Sequence, residues 1–148
     1  MSGASISLRP ADGDALSYVE SVLERNDLPA GDVRSTPGQF YVASDGDGRV
    51  AVGGIEQYGA DGLLRSVAVE ESVRGTGVGT ELCEALEREA RDAGVERLYL
   101  LTTTAAGFFA DRGYEGIDRE DAPEAIQGTT EFDDLCPTTA TCMKKSLQ

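Results

Sequence analysis

The spacing of apolar residues changes period several times along the chain, and each change marks an element. Ile6-Ser7-Leu8-Arg9 alternates apolar and polar, which predicts a short strand. Pro10-Ala11-Asp12 then reads as a helix start, and Leu16, Val19, Val22 and Leu23 recur at three- and four-residue steps, predicting an amphipathic helix over residues 11–25. Asn26 to Gly31 breaks that pattern, and residues 28–38 read as a loop or short helix. Gln39 to Ala43 is rich in aromatic and β-branched residues and predicts a second strand. Asp45-Gly46-Asp47-Gly48 is a hairpin turn signal, with Arg49 to Tyr58 returning as the partner strand. Gly59-Ala60-Asp61-Gly62 turns again, so Leu63 to Val69 completes a three-stranded meander.

The pattern then changes from strand to helix across Arg74-Gly75-Thr76-Gly77-Val78-Gly79-Thr80. After it, good helix formers run from Glu81 with apolar residues three and four apart, and Gly94 is placed to close the helix. Val95 to Thr102 is the next strand, and strand, helix and strand in that order predict a parallel pair with a right-handed crossover. Ala105 to Arg112 reads as a short helix closed by Gly113, Tyr114 to Ile117 as a strand, and Thr139 to Lys144 as a last, edge strand. No repeat, linker or second domain is visible, so residues 1–148 are expected to form one α/β domain around a mixed sheet.

The glycine-rich turn is the strongest chemical signal. A first helical turn has backbone N–H groups outside the intrahelical ladder and the positive end of the helix dipole. Glycines let a bulky anion approach that backbone closely, so Arg74 to Thr80 reads as a phosphate or pyrophosphate cradle. The alternative is a merely tight strand-to-helix turn. A nucleotide-binding P-loop is disfavoured, because no lysine follows the last glycine.

Composition narrows the partners. The chain has 27 acidic and 13 basic residues, a net charge of -14, and no histidine. Such a surface repels nucleic acid and anionic lipid and resembles that of proteins from high-salt cytoplasm. A halophilic, cytoplasmic protein is expected, since the N-terminus is polar and no stretch is long enough to span a bilayer. Three cysteines, Cys83, Cys136 and Cys142, stand far apart, which argues against a disulfide scaffold and a structural zinc site. Without histidine, general base work must fall to a carboxylate, a tyrosine, a thiol or water.

The order of elements and the turn together resemble the GCN5-related N-acetyltransferases, the GNAT family. Its Arg/Gln-x-x-Gly-x-Gly/Ala signature is matched by Arg74-Gly75-Thr76-Gly77-Val78-Gly79, and its later motif by Ala105 to Tyr114. The resemblance covers essentially the whole chain. It implies the GNAT fold: an antiparallel meander, then a β-α-β unit, with helices on both faces. A narrower resemblance, to GNAT proteins encoded with arsenic-resistance genes, is carried by Leu64 to Val69, Leu100 to Ala105, and the tail around Ala122 to Ile126 and Leu135-Cys136-Pro137.

The family resemblance implies acetyl-CoA as cosubstrate, no metal, and direct attack of a small-molecule amine on the thioester. The protein would work without nucleic acid or membrane, alone or as a homodimer; a non-catalytic acyl-CoA-binding module is the alternative. Gly75, Thr76, Gly77, Val78 and Gly79 would hold the pyrophosphate through backbone N–H groups, with Arg74 and Thr80 adding side-chain donors. The backbone of Val67, Ala68 and Val69 would pair with the pantetheine arm. At the family's Asn and Tyr positions stand Thr102 and Phe109, and Phe109 cannot donate a proton to the leaving thiolate. Either the thiolate leaves unassisted, or another group serves as that acid, with Tyr58, Tyr114 and Cys136 the candidates, and Phe109 is expected to line the cofactor channel. Glu56 is the expected base, against the alternative that it is a solvated strand residue. Arg65 and Ser66 precede the cofactor strand and are expected to meet an acidic group of the substrate, with Arg65 paired with surface carboxylates as the alternative; Cys136, before Pro137, reads as either a substrate-pocket residue or a packing residue.

Overall fold

A computed structural model describes residues 6–11, 13–26, 40–45, 48–70, 77–102, 105–127 and 141–147. The strands are β1 (Ser7–Pro10), β2 (Phe40–Asp45), β3 (Gly48–Tyr58), β4 (Asp61–Val69), β5 (Arg97–Thr102), β6 (Glu115–Ile117) and β7 (Thr141–Ser146). The helices are α1 (Asp14–Arg25), α2 (Val78–Asp92), α3 (Ala106–Asp111) and α4 (Glu124–Gln127), with a 3-10 turn at Arg119–Asp121. The seven strands form one mixed sheet in the order β1-β2-β3-β4-β5-β7-β6. The chain falls into two compact units, residues 1–55 with 66–89, and residues 56–65 with 90–148.

In the first unit, β1, β2 and β3 pair antiparallel, with a bulge between Ala43 and Ser44. The helix predicted from Ala11 starts later, at Asp14, because Pro10 still pairs with Tyr41 as the last residue of β1. That proline is tolerated because β1 is an edge strand and loses no ladder bond to it. Leu16, Val19, Val22 and Leu23 of α1 pack with Phe40, Val42 and Val52, and all are buried. Gly53, the neighbour of Val52, faces Leu86 of α2, where an added Cβ would lie 2.6 Å from the leucine Cδ1. Successive strand residues point to opposite faces, so β3 carries α1 on one side and α2 on the other.

In the second unit, β4 and β5 run parallel with Asp61, Gly62 and Leu63 opposite Arg97, Leu98 and Tyr99. The helix between them ends as predicted at Gly94 (φ 96°). The Val95 amide returns to the Ala90 carbonyl at 2.9 Å and the Gly94 amide to Arg91 at 3.0 Å, which satisfies two terminal carbonyls. The same device ends α3, where Gly113 has φ 99° and the Tyr114 amide bonds to the Phe109 carbonyl at 3.0 Å. The C-terminal strand, expected at an edge, is not there. β7 lies inside the sheet, pairing along Thr141 to Ser146 with β5 and along Cys142 to Lys144 with β6, which takes the edge. Leu63, Tyr99, Ala122, Ile126 and Cys142 form the core here, with Tyr58 packed against it.

Candidate active site

The anion cradle is described from Gly77 onward; Arg74, Gly75 and Thr76 lie outside the described residues, as does Cys136. Gly77 adopts φ 93°, a left-handed conformation that strains any residue with a Cβ. Its carbonyl accepts the first intrahelical bond of α2, from the Glu81 amide at 3.1 Å. Val78 is buried and pins the helix start to the core, while Gly79 and Thr80 remain half-exposed. The amides of Val78 and Gly79 therefore precede the helical ladder, at the positive end of a 15-residue helix.

The strand leading to this turn carries a local irregularity. Ser66 has φ 57°, among the described residues the one positive value outside glycine, in the middle of β4. Ladder pairing with β5 extends only to Leu63 opposite Tyr99, although β4 continues to Val69. Val67 and Val69 are half-exposed and Ala68 is buried. Immediately after β4, the Glu70 amide bonds to the Val50 carbonyl at 2.8 Å.

In the second unit, three residues singled out separately from the sequence meet. Glu56 Oε1 accepts a hydrogen bond from the Tyr58 hydroxyl at 2.5 Å, and Oε2 accepts one from Arg65 at 2.8 Å. Glu56 is therefore not a solvated strand residue: it is 6% exposed, and Arg65 is 2% exposed. Arg65 pairs with this interior carboxylate. Burial, then the hydrogen bond and negative charge of Glu56, push the Tyr58 hydroxyl well above the ordinary tyrosine range, with the Arg65 charge opposing. Tyr58 thus holds its proton and directs it at Glu56, a poor arrangement for protonating a thiolate.

Phe109 is buried and packs edge-on against Tyr114, ring centroids 5.5 Å apart, and against Phe108 at 5.2 Å. Tyr114 is 3% exposed, with Lys145 Nζ 5.6 Å from its ring centroid. Thr102, at the family's Asn position, uses its hydroxyl oxygen to accept the Ala105 amide at 2.9 Å, fixing the turn into α3. Cys83 and Cys142 are buried thiols; burial pushes Cys142 up to about 11, so it stays protonated and inert.

One further cluster joins residues far apart in the sequence. Glu70 is held by the Tyr18 hydroxyl at 2.9 Å and by Arg25 at 2.7 and 3.3 Å. Its partners lie 52 and 45 positions away, so no local pattern announces it.

The Acetyltransferase (GNAT) domain pattern matches residues 36–116, more than half of the chain. The chain therefore belongs to the GNAT family of N-acetyltransferases. Among curated relatives, an amino-acid acetyltransferase of Mannheimia succiniciproducens is 33% identical over 87 residues, 57% of this chain and 20% of that protein. One from Pseudomonas fluorescens is 41% identical over 64 residues, 43% of this chain and 15% of that protein. The chain thus spans a fifth or less of the length of these relatives. Among solved structures, N-acetylglutamate synthase from Neisseria gonorrhoeae, complexed with coenzyme A and N-acetyl-glutamate, superposes with a TM-score of 0.83 at 18% identity. The match covers 98% of this chain and 36% of that one. Rv2747 from Mycobacterium tuberculosis, in complex with CoA and NLQ, gives a TM-score of 0.79 at 22% identity over 96% of this chain and 99% of its own. These likenesses agree with the mixed seven-stranded sheet. Among the described residues, no helix is long and apolar enough to cross a membrane.

Proposed function

We propose that the protein transfers the acetyl group of acetyl-CoA directly to the amine of a small, amino-acid-like molecule. The observation that carries the reading is the buried Glu56 carboxylate, bonded by Tyr58 and Arg65 in a family member whose chain has no histidine. In this reading the α2 N-terminus, Gly77 to Thr80, with Arg74 to Thr76 before it, binds the pyrophosphate, and the Val67–Val69 backbone pairs with the pantetheine arm. Glu56 takes a proton from the substrate ammonium, directly or through water. The freed nitrogen lone pair attacks the thioester carbonyl and forms the C–N bond. A β4 amide stabilises the oxyanion, the attacking nitrogen gives up its second proton to water, the C–S bond breaks, and coenzyme A leaves as thiolate to be protonated by solvent. Tyr58 serves to hold Glu56. Tyr114 and Cys136 are the remaining candidates should the thiolate need an internal acid.

The amino-acid acceptor is supported by the substrate class in the relatives' names. The likeness to arsenic-resistance-linked members extends that class to amino-acid-like toxins. Ser66, and Cys136 in the tail, are the groups proposed to face the acceptor; Arg65 acts there through Glu56. The acidic surface suits a cytoplasm of high salt, where screening makes binding of a polyphosphate tolerable. A second reading, a non-catalytic acyl-CoA sensor, is favoured by Phe109, which supplies no proton donor where the family resemblance puts a tyrosine. Free-thiol release from acetyl-CoA across a panel of amino acids and amines, in molar KCl, separates the two. Thiol release that depends on one amine class supports the enzyme. Coenzyme A binding with no thiol release for any amine supports the sensor.

A further inference from the structure

β4 ends at Val69, next to the segment that the coenzyme A reading assigns to the pantetheine arm, and what fixes that end is Glu70. Its backbone is tied to β3 through the Val50 carbonyl. Its carboxylate is tied to α1 on both oxygens: Oε1 to Arg25, and Oε2 to Arg25 and to the Tyr18 hydroxyl. The Tyr18 ring is itself covered by Arg49, whose guanidinium carbon is 5.4 Å from the ring centroid. Burial and the neighbouring Glu70 push the Tyr18 hydroxyl above the ordinary tyrosine range, so its donated proton stays in place.

Glu70 is only partly exposed, at 19% of its side chain, whereas Arg25 is 55% exposed. An exposed ion pair alone contributes little. Here the arginine contacts both oxygens and a tyrosine hydroxyl adds a third bond, so the carboxylate is confined from two directions. Glu70 directly follows Val69, so this confinement holds the end of the Val67–Val69 strand segment. Less freedom at a binding segment's anchor means less ordering entropy lost when the coenzyme binds.

We propose that Tyr18 and Arg25 are positioning residues for coenzyme binding, acting through Glu70 to fix the end of β4, where the Val67–Val69 backbone would meet the pantetheine arm. This rests on the coenzyme A reading above. The test is calorimetric titration of the full chain with coenzyme A, comparing wild type with Tyr18→Phe, Glu70→Gln and the double variant, alongside acetyl-CoA kinetics. The expected result is a three- to tenfold rise in Kd for each single variant and a non-additive double variant. The KM for acetyl-CoA rises with it, while kcat at saturating acetyl-CoA changes less than twofold. Arg25→Gln weakens binding similarly and Arg25→Lys restores part of it. Arg97→Gln, which breaks a comparable ion pair with Asp61, leaves Kd unchanged. Unchanged Kd in folded variants, or losses confined to thermal stability, overturns the positioning role alone. A wild-type chain that binds no coenzyme A overturns the function reading as well.

Discussion

The Tyr58 hydroxyl donates to the Glu56 carboxylate at 2.5 Å, and the two side chains stand two positions apart on one face of β3. Arg65 holds the other carboxylate oxygen from β4, so the charge on Glu56 is confined at a buried point.

Removing the charge on Glu56 should separate catalysis from folding. Either Glu56→Gln or Arg65→Met leaves one buried charge uncompensated, at about 3–5 kcal/mol. The double variant removes both charges and should recover most of that stability in thermal melts. Turnover should not recover: loss of a general base lowers kcat by roughly 100-fold or more. A double variant with near wild-type turnover would show that Glu56 is structural.

Tyr58 and Tyr18 give a pH signature. Both hydroxyls titrate above the ordinary value of 10.0 in the folded chain, chiefly because they are buried and bonded to carboxylates. The unfolded chain therefore loses these protons first as pH rises. Their contribution is complete below about pH 10 and declines above it. The melting temperature should fall beyond pH 10, and Tyr18→Phe and Tyr58→Phe should each flatten the decline. An unchanged slope in both variants contradicts the two hydrogen bonds.

Gly53 is a packing requirement. A methyl group there would meet the fully buried Leu86 at 2.6 Å, so Gly53→Ala must push α2 or the leucine rotamer. The expected loss is about 1–3 kcal/mol by denaturant unfolding. Gly59→Ala, where φ is 68° but nothing lies within 4 Å of the added Cβ, should cost less, about 1 kcal/mol.

Ser66 stores conformational strain beside the strand that the function reading assigns to the pantetheine arm. Ser66→Gly relieves a φ of 57° and should be neutral or stabilising by up to about 1 kcal/mol. Ser66→Val should cost about 1–3 kcal/mol and raise the KM for acetyl-CoA, because a β-branched residue resists the left-handed backbone. Equal KM values for the two variants would remove Ser66 from the cofactor argument.

Much of this was legible in the sequence because it is local. Apolar spacing located α1 and α2, glycines marked the ends of α2 and α3, and the glycine-rich turn fell at a helix start. Glu56, Tyr58 and Arg65 were each singled out, yet their mutual bonding was not, since it depends on how β3 and β4 bring residues together. The placement of β7 inside the sheet is not legible for a similar reason: β6 supplies the edge through a pairing invisible in periodicity. Glu70 carried no signal at all, because its partners on α1 are set by tertiary packing.

The most direct measurement is the rate of free-thiol release from acetyl-CoA with an amino-acid panel in molar KCl, run in parallel for wild type and Glu56→Gln. The account predicts amine-dependent release by wild type and a rate lower by about two orders of magnitude in the variant. Equal rates, or no release by the wild-type chain with any amine, would contradict it.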